Sequence, residues 1–597
     1  MLAPLMTLAL LLASPLQQAS TQEAADALVR RMRATQPADL SWGENLQDAC
    51  RALDALARSP RAYTDLDGPF FRVPAQRIAQ APAGSLDDAL VVLALGQCLN
   101  GELAQARDAA LQRLLAAPPR RDYDALLALR TYPAPDLAWP APQPGDEPGV
   151  AVLLAADPAT VAAPAVTDVA AWTRWARAAR LRGVVPHDLP PLPEPGPDAG
   201  FRELLAALQT VSAMHGAASG EEDEGGPFAA PRGAPALVPA GQDLAAALER
   251  AWGFLESHQH GGTFGLGLPG ADEPEPGITG MCLTAAVWVA EQTHRTRPAW
   301  IDEGLDFLVS LQRPDGSIQM YGLDVYTTSV AIEALVAAGR EKDRAAVARA
   351  RDYLVATQSD EGEGYDESRD VFYGGTGYGD GERPDLSNTQ MAVQAVVLAG
   401  TSREDPFFSR TRVFLDKCQN FGERQELTFP HPGGGTIVSG NDGGGTYFPG
   451  NSEAGEIDLG GGRWQPRSYG SMSYALAKSW VLCGTGPEDP RVAAVVRWLA
   501  RNFSVDENPG FATPSECKQG LYYYRLVMAR TLALLPEGSF KDEHGQPIDW
   551  RTPLVRRLLD SQRVDGSWIN TESLRWWEGA PPLATAYALL ALRAAQR

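Results

Sequence analysis

From Gln242 onward the apolar positions follow a helical period, and two kinds of segment alternate. One kind is amphipathic and ends in Leu-x-x-x-Gln, at Leu255–Gln259, Leu308–Gln312, Leu354–Gln358, Leu415–Gln419 and Leu558–Gln562. A further copy at Leu499 keeps the leucine and carries Phe503 in place of the glutamine. Each copy leads into a Gly-containing turn and then an Ala-rich segment that is apolar nearly all round, such as "TTSVAIEALVAAG" or "ATAYALLALRAA". A helix without a polar face must be buried on every side. The repeat therefore predicts six αα-hairpins with amphipathic outer helices and enclosed inner helices, closed into an (α/α)6 toroid of all-α class. A linear solenoid would want polar capping repeats, whereas the last repeat ends on an apolar helix.

Ahead of this region, helical periodicity in "NLQDACRALDALARS" and "DVAAWTRWARAARL" predicts a separate α-helical N-terminal region over 21–215. The Gly/Pro-rich stretch 216–241, with its acidic run Glu221–Glu224, reads as a linker, so the toroid is expected over 242–597. The apolar run Leu5–Leu12, followed by small and polar residues, reads as a signal peptide over 1–20, though without a basic start. A secreted or periplasmic protein is the expectation. No other stretch reaches the ~18 consecutive apolar residues of a membrane span.

A formal net charge of −22 excludes nucleic acid as a partner and opposes docking on anionic lipid head groups. The six cysteines lie far apart in sequence and read as buried apolar side chains, with one or two bridges left open for an exported chain. Oligomeric state is not legible.

"FLVSLQRPDGSI" (Phe307–Ile318) and "LLDSQRVDGSW" (Leu558–Trp568) resemble the Q-x-x-D-G-x-W repeats of squalene and hopene cyclases and the related repeats of protein prenyltransferase β subunits. "RSYGSMSYALAKS" and "RWWEGAPPLATAYALLAL" are similar to a secreted bacterial branch of that superfamily, known mainly as repeat proteins without an assigned reaction. The resemblance covers about 244–595 and implies the toroid.

It also implies where chemistry would lie. Cyclases of this kind protonate an alkene with the central acid of an Asp-x-Asp-Asp cluster at an inner-helix start, tuned by its neighbours. The matching positions here are "DVYTT" at Asp324 and "DLSNT" at Asp385. Tyr326 and Thr327, or Ser387 and Asn388, stand where the further acids would be. The zinc set of the prenyltransferases has no counterpart: the required cysteine and histidine are missing from both stretches, and His258 and His260 form the one close histidine pair. No metal or cofactor is expected. Lys518, Arg525 and Arg530 are the candidates for holding a diphosphate.

The plain reading of Asp324 and Asp385 is that each accepts backbone N–H bonds at a helix start. The functional reading makes them acid/base or ligand groups at the ring mouth, with Tyr326, Asn388, Tyr469, Tyr523 and Trp577 binding ligand. The acidic loop 359–370 offers carboxylates for calcium without the EF-hand order. The Gly-rich insertion 431–464 reads as a hairpin over the mouth. Three functions follow: a toroid that binds an apolar, terpenoid-like or lipid ligand, with or without isomerase or transferase activity; a scaffold or interaction module of the cell envelope; and a polysaccharide-acting enzyme with paired carboxylates.

Overall fold

The computed structural model describes residues 24–596 except 26, 38, 99–100, 117–121, 133–138, 140, 144, 183, 185, 187–188, 194, 197–198, 218–235, 239–240, 268–272, 321–322, 380, 425–426 and 432–434. The chain divides into two compact units, residues 1–223 and 224–597. The expected signal peptide, the acidic run and most of the linker lie outside the described residues.

The first unit is helical, with α1 (Leu46–Ala57), α2 (Pro69–Gln80), α3 (Asp88–Ala94), α4 (Gly101–Ala116), α5 (Tyr123–Thr131), α6 (Pro148–Leu154), α7 (Val169–Leu181) and α8 (Phe201–Ala217), of which α1 and α7 fall on the periodic segments quoted above. Trp42, Phe70, Phe71 and Trp172 are fully buried in its core.

The second unit alternates outer and inner helices. The outer ones are α9 (Leu244–His258), α11 (Ala299–Ser310), α13 (Arg344–Ala356), α15 (Pro406–Lys417), α17 (Pro490–Arg501) and α19 (Arg551–Asp560). The inner ones are α10 (Pro276–Gln292), α12 (Asp324–Ala338), α14 (Leu386–Leu398), α16 (Gly470–Leu482), α18 (Leu521–Leu532) and α20 (Pro581–Ala595). Each inner helix packs on the next, and α20 packs on α10, which closes the ring.

The repeated glutamine makes that closure. In four of the five copies its amide donates to the glycine carbonyl of its own turn and to a carbonyl of the next outer helix, whereas Gln259 accepts from Gly262 N at 2.8 Å. Gln312 Nε2 reaches Gly316 O at 3.0 Å and Ala346 O at 2.9 Å. Gln358 reaches Gly374 O and Phe407 O, and Gln419 reaches Gly443 O and Arg491 O. Gln562 reaches Gly566 O at 3.1 Å and, across the seam, Ala247 O on α9 at 2.9 Å. Leaving such buried carbonyls unpaired would cost ~1–3 kcal/mol each. Gly316 and Gly566 have φ of 97° and 93° and press against the backbone of the next outer helix, so a side chain fits neither. Where Phe503 replaces glutamine, its ring packs edge-on against Phe540 at 5.8 Å.

The Gly-rich insertion contributes more than a hairpin. Strands β1 (Thr428–Pro430), β2 (Thr436–Val438), β3 (Glu456–Gly460) and β4 (Arg463–Pro466) form a sheet of order β1-β2-β4-β3. β3 and β4 are antiparallel, and β2 pairs in parallel with β4. All six cysteines are free and buried.

Candidate functional site at the ring mouth

A hydroxyl sets the register of the inner helices. The backbone N–H just beyond the turn glycine donates to Thr279 in the first repeat, to Thr328 in the second and to Thr389 in the third. Ser473 and Thr585 do the same in later repeats. The threonine of the Asp-x-x-x-Thr pattern is therefore structural. Four residues before each hydroxyl stand Glu275, Asp324, Asp385, Tyr469 and Pro581. Glu275 thus joins Asp324 and Asp385 as a third acid on three consecutive inner helices. It was not read from the sequence, although the Glu-Pro-Gly-Ile-Thr spacing carries it.

The three acids differ in use. Asp385 is the N-cap of α14, and its carboxylate accepts from Asn388 N at 2.8 Å and Asn388 Nδ2 at 2.7 Å. Glu275 caps α10 by accepting from Ile278 N at 2.5 Å, and burial pushes its carboxyl above the usual range. Asp324 does not hold the cap position: it is the first helical residue of α12, one place past Leu323. It faces Gly379 in the loop before α14, where Val325 N donates to Tyr378 O.

Two residues beyond Asp324 and Asp385, Tyr326 and Ser387 reach across the ring to tyrosines of other inner helices. Tyr326 Oη and Tyr587 Oη lie 3.0 Å apart, joining α12 to α20. Ser387 Oγ and Tyr523 Oη lie 2.9 Å apart, and Gln390 Nε2 donates to the same phenol at 3.1 Å, joining α14 to α18. Tyr523 and Tyr587 stack edge-on at 6.0 Å. Burial pushes the Tyr523 phenol up to about 12 and holds Tyr326 and Tyr587 above the usual range. These tyrosines are neutral hydrogen-bonding groups at physiological pH. Of the residues expected to bind ligand, Tyr326 and Tyr523 reach the axis. Asn388 is buried beneath its cap, and Tyr469 is buried edge-on against Phe511 at 5.3 Å.

Seven residues deeper lies a polar layer that sequence reading did not assemble: Glu333, Gln394, Lys478 and Arg530. Arg530 pairs with Glu333, although α12 and α18 are opposite members of the ring. Gln394 Nε2 donates to Glu333 Oε2 at 3.1 Å, and Lys478 Nζ donates to Gln394 Oε1 at 2.7 Å. The expected diphosphate cluster does not form. Lys518 donates to Asp506 O, Arg525 is buried against Val505 O, and Arg530 belongs to the axial layer.

The loop ahead of α20 completes the mouth. Glu578 is fully buried and accepts from Tyr523 N at 2.7 Å and Asn570 Nδ2 at 2.8 Å. Burial raises its carboxyl to about 7. Just before it, Trp576 and Trp577 adopt left-handed backbone, with φ of 56° and 64°. Such non-glycine conformations cost ~1–3 kcal/mol each. Trp576 lies against Gly520 and under the Arg575 guanidinium, yet keeps 40% of its surface exposed. Arg575 also pairs with Glu453 of the Gly-rich insertion at 2.9 Å. Trp577 is half-buried beside them.

Three carboxylates of loop 359–370 are already engaged: Asp360 and Glu361 pair with Arg410 of α15, and Asp366 accepts from Ser368 and pairs with Arg369. Among the described residues no three His, Cys, Asp or Glu side chains gather as a metal site, and no helix is long and apolar enough to cross a membrane.

The first unit has a cavity of about 1290 Å³ between α1, α5, α7 and α8. On its wall Asp54 accepts a bidentate pair from Arg177 at 2.7 and 2.8 Å and a third bond from Arg58. Burial alone would raise the Asp54 carboxyl, but the two guanidiniums hold it below the usual range. Nearby Asp124 is raised by burial and by the Asp54 charge.

Residues 271–436 match the family model of the squalene-hopene cyclase C-terminal domain, which supports a terpenoid cyclase-like superfamily for the ring. No curated protein matches the chain. Among solved structures, a protein from Actinoplanes is 17% identical over 60% of this chain and 100% of its own, with a TM-score of 0.35. The apo type II terpene cyclase MstE from Scytonema is 16% identical over 58% of this chain and 97% of its own, with a TM-score of 0.35. The ent-copalyl diphosphate synthase from Streptomyces platensis is 17% identical over 66% and 92%, with a TM-score of 0.19.

Proposed function

We propose that the ring binds an apolar, isoprenoid-like ligand at its mouth and does not protonate it. The observation that carries this is the strained Trp576–Trp577 pair, which presents a large exposed aromatic against Gly520 at the head of α18, the helix that carries Tyr523. Strain of this kind persists only where the surroundings enforce it, and here Glu578 and Gly520 do so. Against protonation, the acid positions after Asp324 and Asp385 hold Tyr326 and Ser387, whose hydroxyls are spent on Tyr587 and Tyr523. Glu275 and Asp385 likewise use their carboxylates to cap helices, which also speaks against a paired-carboxylate attack on polysaccharide.

A scaffold role is the second reading, favoured by the Glu333–Arg530 pair and the tyrosine bridges, which cross the axis where a cyclase would hold its substrate. Retention of lipid from a membrane extract by the full chain, read by mass spectrometry, separates the two. Ligand contact would cover roughly 100 Å² of Trp576, so Trp576→Ala is expected to weaken retention by about 2 kcal/mol, more than tenfold. If the wild-type chain retains no lipid, the binding reading fails and the scaffold stands. Export rests on the run Leu5–Leu12 and is checked by whether the mature N-terminus begins near Ser20.

A further inference from the structure

Lys478 lies in the deeper axial layer, and the mouth makes no use of it. Its side chain is 1% exposed. Its Nζ donates to Gln394 Oε1, and it finds no second acceptor among the described residues. An ammonium has three donors. Two N–H groups of a buried ammonium would then lack partners, at ~1–3 kcal/mol each or more for a charged group. A neutral amine avoids most of that cost. The local charges agree: Glu333 is already paired with Arg530, so Lys478 meets a cation as well as an engaged carboxylate. Burial holds the ammonium far below the usual lysine range, and Arg530 pushes it further down while Glu333 opposes.

The choice of residue adds weight. Of 52 basic side chains, only Lys342, Lys417, Lys478, Lys518 and Lys541 are lysines, so arginine is this chain's ordinary cation. Arginine cannot give up its proton; lysine can. Lys417 is the internal contrast. It is 9% exposed and donates to two backbone carbonyls, Glu367 O at 3.2 Å and Asp370 O at 2.7 Å, as a structural lysine should. Nor is the axial layer sealed, because Glu333 and Arg530 each keep 12% of their side chains exposed.

We propose that Lys478 is a nucleophilic amine that forms an imine with an aldehyde or ketone carried on an apolar chain. The Nζ lone pair attacks the carbonyl carbon and a C–N bond forms. Proton transfer from nitrogen to oxygen gives the carbinolamine, whose C–O bond then breaks. A proton from solvent turns the hydroxyl into water, which leaves, and the protonated C=N nitrogen keeps one N–H to donate to Gln394 Oε1. No oxidant or reductant takes part. This goes beyond the mouth reading and does not rest on it, since a different layer is involved and the readout is a covalent bond.

The test is reductive trapping on the full chain with farnesal and cyanoborohydride near pH 7, followed by peptide mass spectrometry. An exposed lysine is neutral in only about one molecule in a thousand there, so the adduct at Lys478 is expected to exceed that at Lys342 by roughly tenfold or more. Lys478→Arg places a permanent cation there and should abolish the adduct; Lys478→Met should do the same, and thermal melting shows whether each variant is folded. Labelling that follows surface exposure and is unchanged in both variants overturns the proposal. So does binding of farnesoic acid with no farnesal adduct, which would make Lys478 the partner of an anion.

Discussion

Arg530→Met should be among the most damaging single changes in the ring. Arg530 on α18 and Glu333 on α12 pair across the full width of the axis, and each side chain is 12% exposed. Removing the guanidinium leaves the Glu333 carboxylate in the interior with Gln394 Nε2 as its remaining donor among the described residues. Breaking a buried pair from one side costs about 3–5 kcal/mol, whereas replacing both members by apolar side chains is often neutral. The residual exposure places the expectation at the lower end, about 3 kcal/mol. The Glu333→Leu/Arg530→Met double variant should return to within about 1 kcal/mol of wild type. Urea unfolding followed by tryptophan fluorescence gives both values, and the double-mutant cycle should show a coupling of at least about 2 kcal/mol. A loss below about 1 kcal/mol for Arg530→Met, with additive effects in the double variant, would match a solvated surface pair. The axis would then be open to water, and the reasoning that fills it with polar side chains would be refuted.

Two further outcomes follow from the mouth. Asp385→Ala removes the cap of α14 and should cost about 1–2 kcal/mol in urea unfolding without changing lipid retention; retention lost at unchanged stability would make Asp385 a ligand group instead. Glu578 has a folded value of about 7 against an ordinary 4.5, so the native state holds the proton more tightly than the unfolded chain. Stability from this group is complete below about pH 4.5 and declines as pH rises towards 7, by about 3 kcal/mol in all. Glu578→Gln should flatten that slope in a pH series of melting temperatures, and an unaltered slope would show that the carboxyl titrates normally.

The inner helices show how far local pattern reaches. Leu-x-x-x-Gln, the turn glycine and the apolar segment after it are spaced within one hairpin, so their period alone predicts the ring. Asp324 and Asp385 were legible for the same reason, each heading its own helix. Asp324 nevertheless misses the cap position, because where a helix begins depends on the loop packed against it, here Tyr378 and Gly379. The Arg525 and Arg530 cluster expected from sequence dissolves because neighbours on one helix face different surroundings, one a backbone carbonyl and the other the axis.

What the chain by itself determined is therefore the hairpin, its sixfold repetition, and the acids Asp324 and Asp385 that head two inner helices. Only the tertiary structure decided what meets on the axis. Tyr326 with Tyr587, Ser387 with Tyr523 and Glu333 with Arg530 are pairs separated by 261, 136 and 197 residues. No local period encodes which helix lies opposite which. The same closure leaves Lys478 with one acceptor among the described residues and buries Glu578 completely. Their chemistry follows from burial, which is a property of the closed ring and not of the repeat.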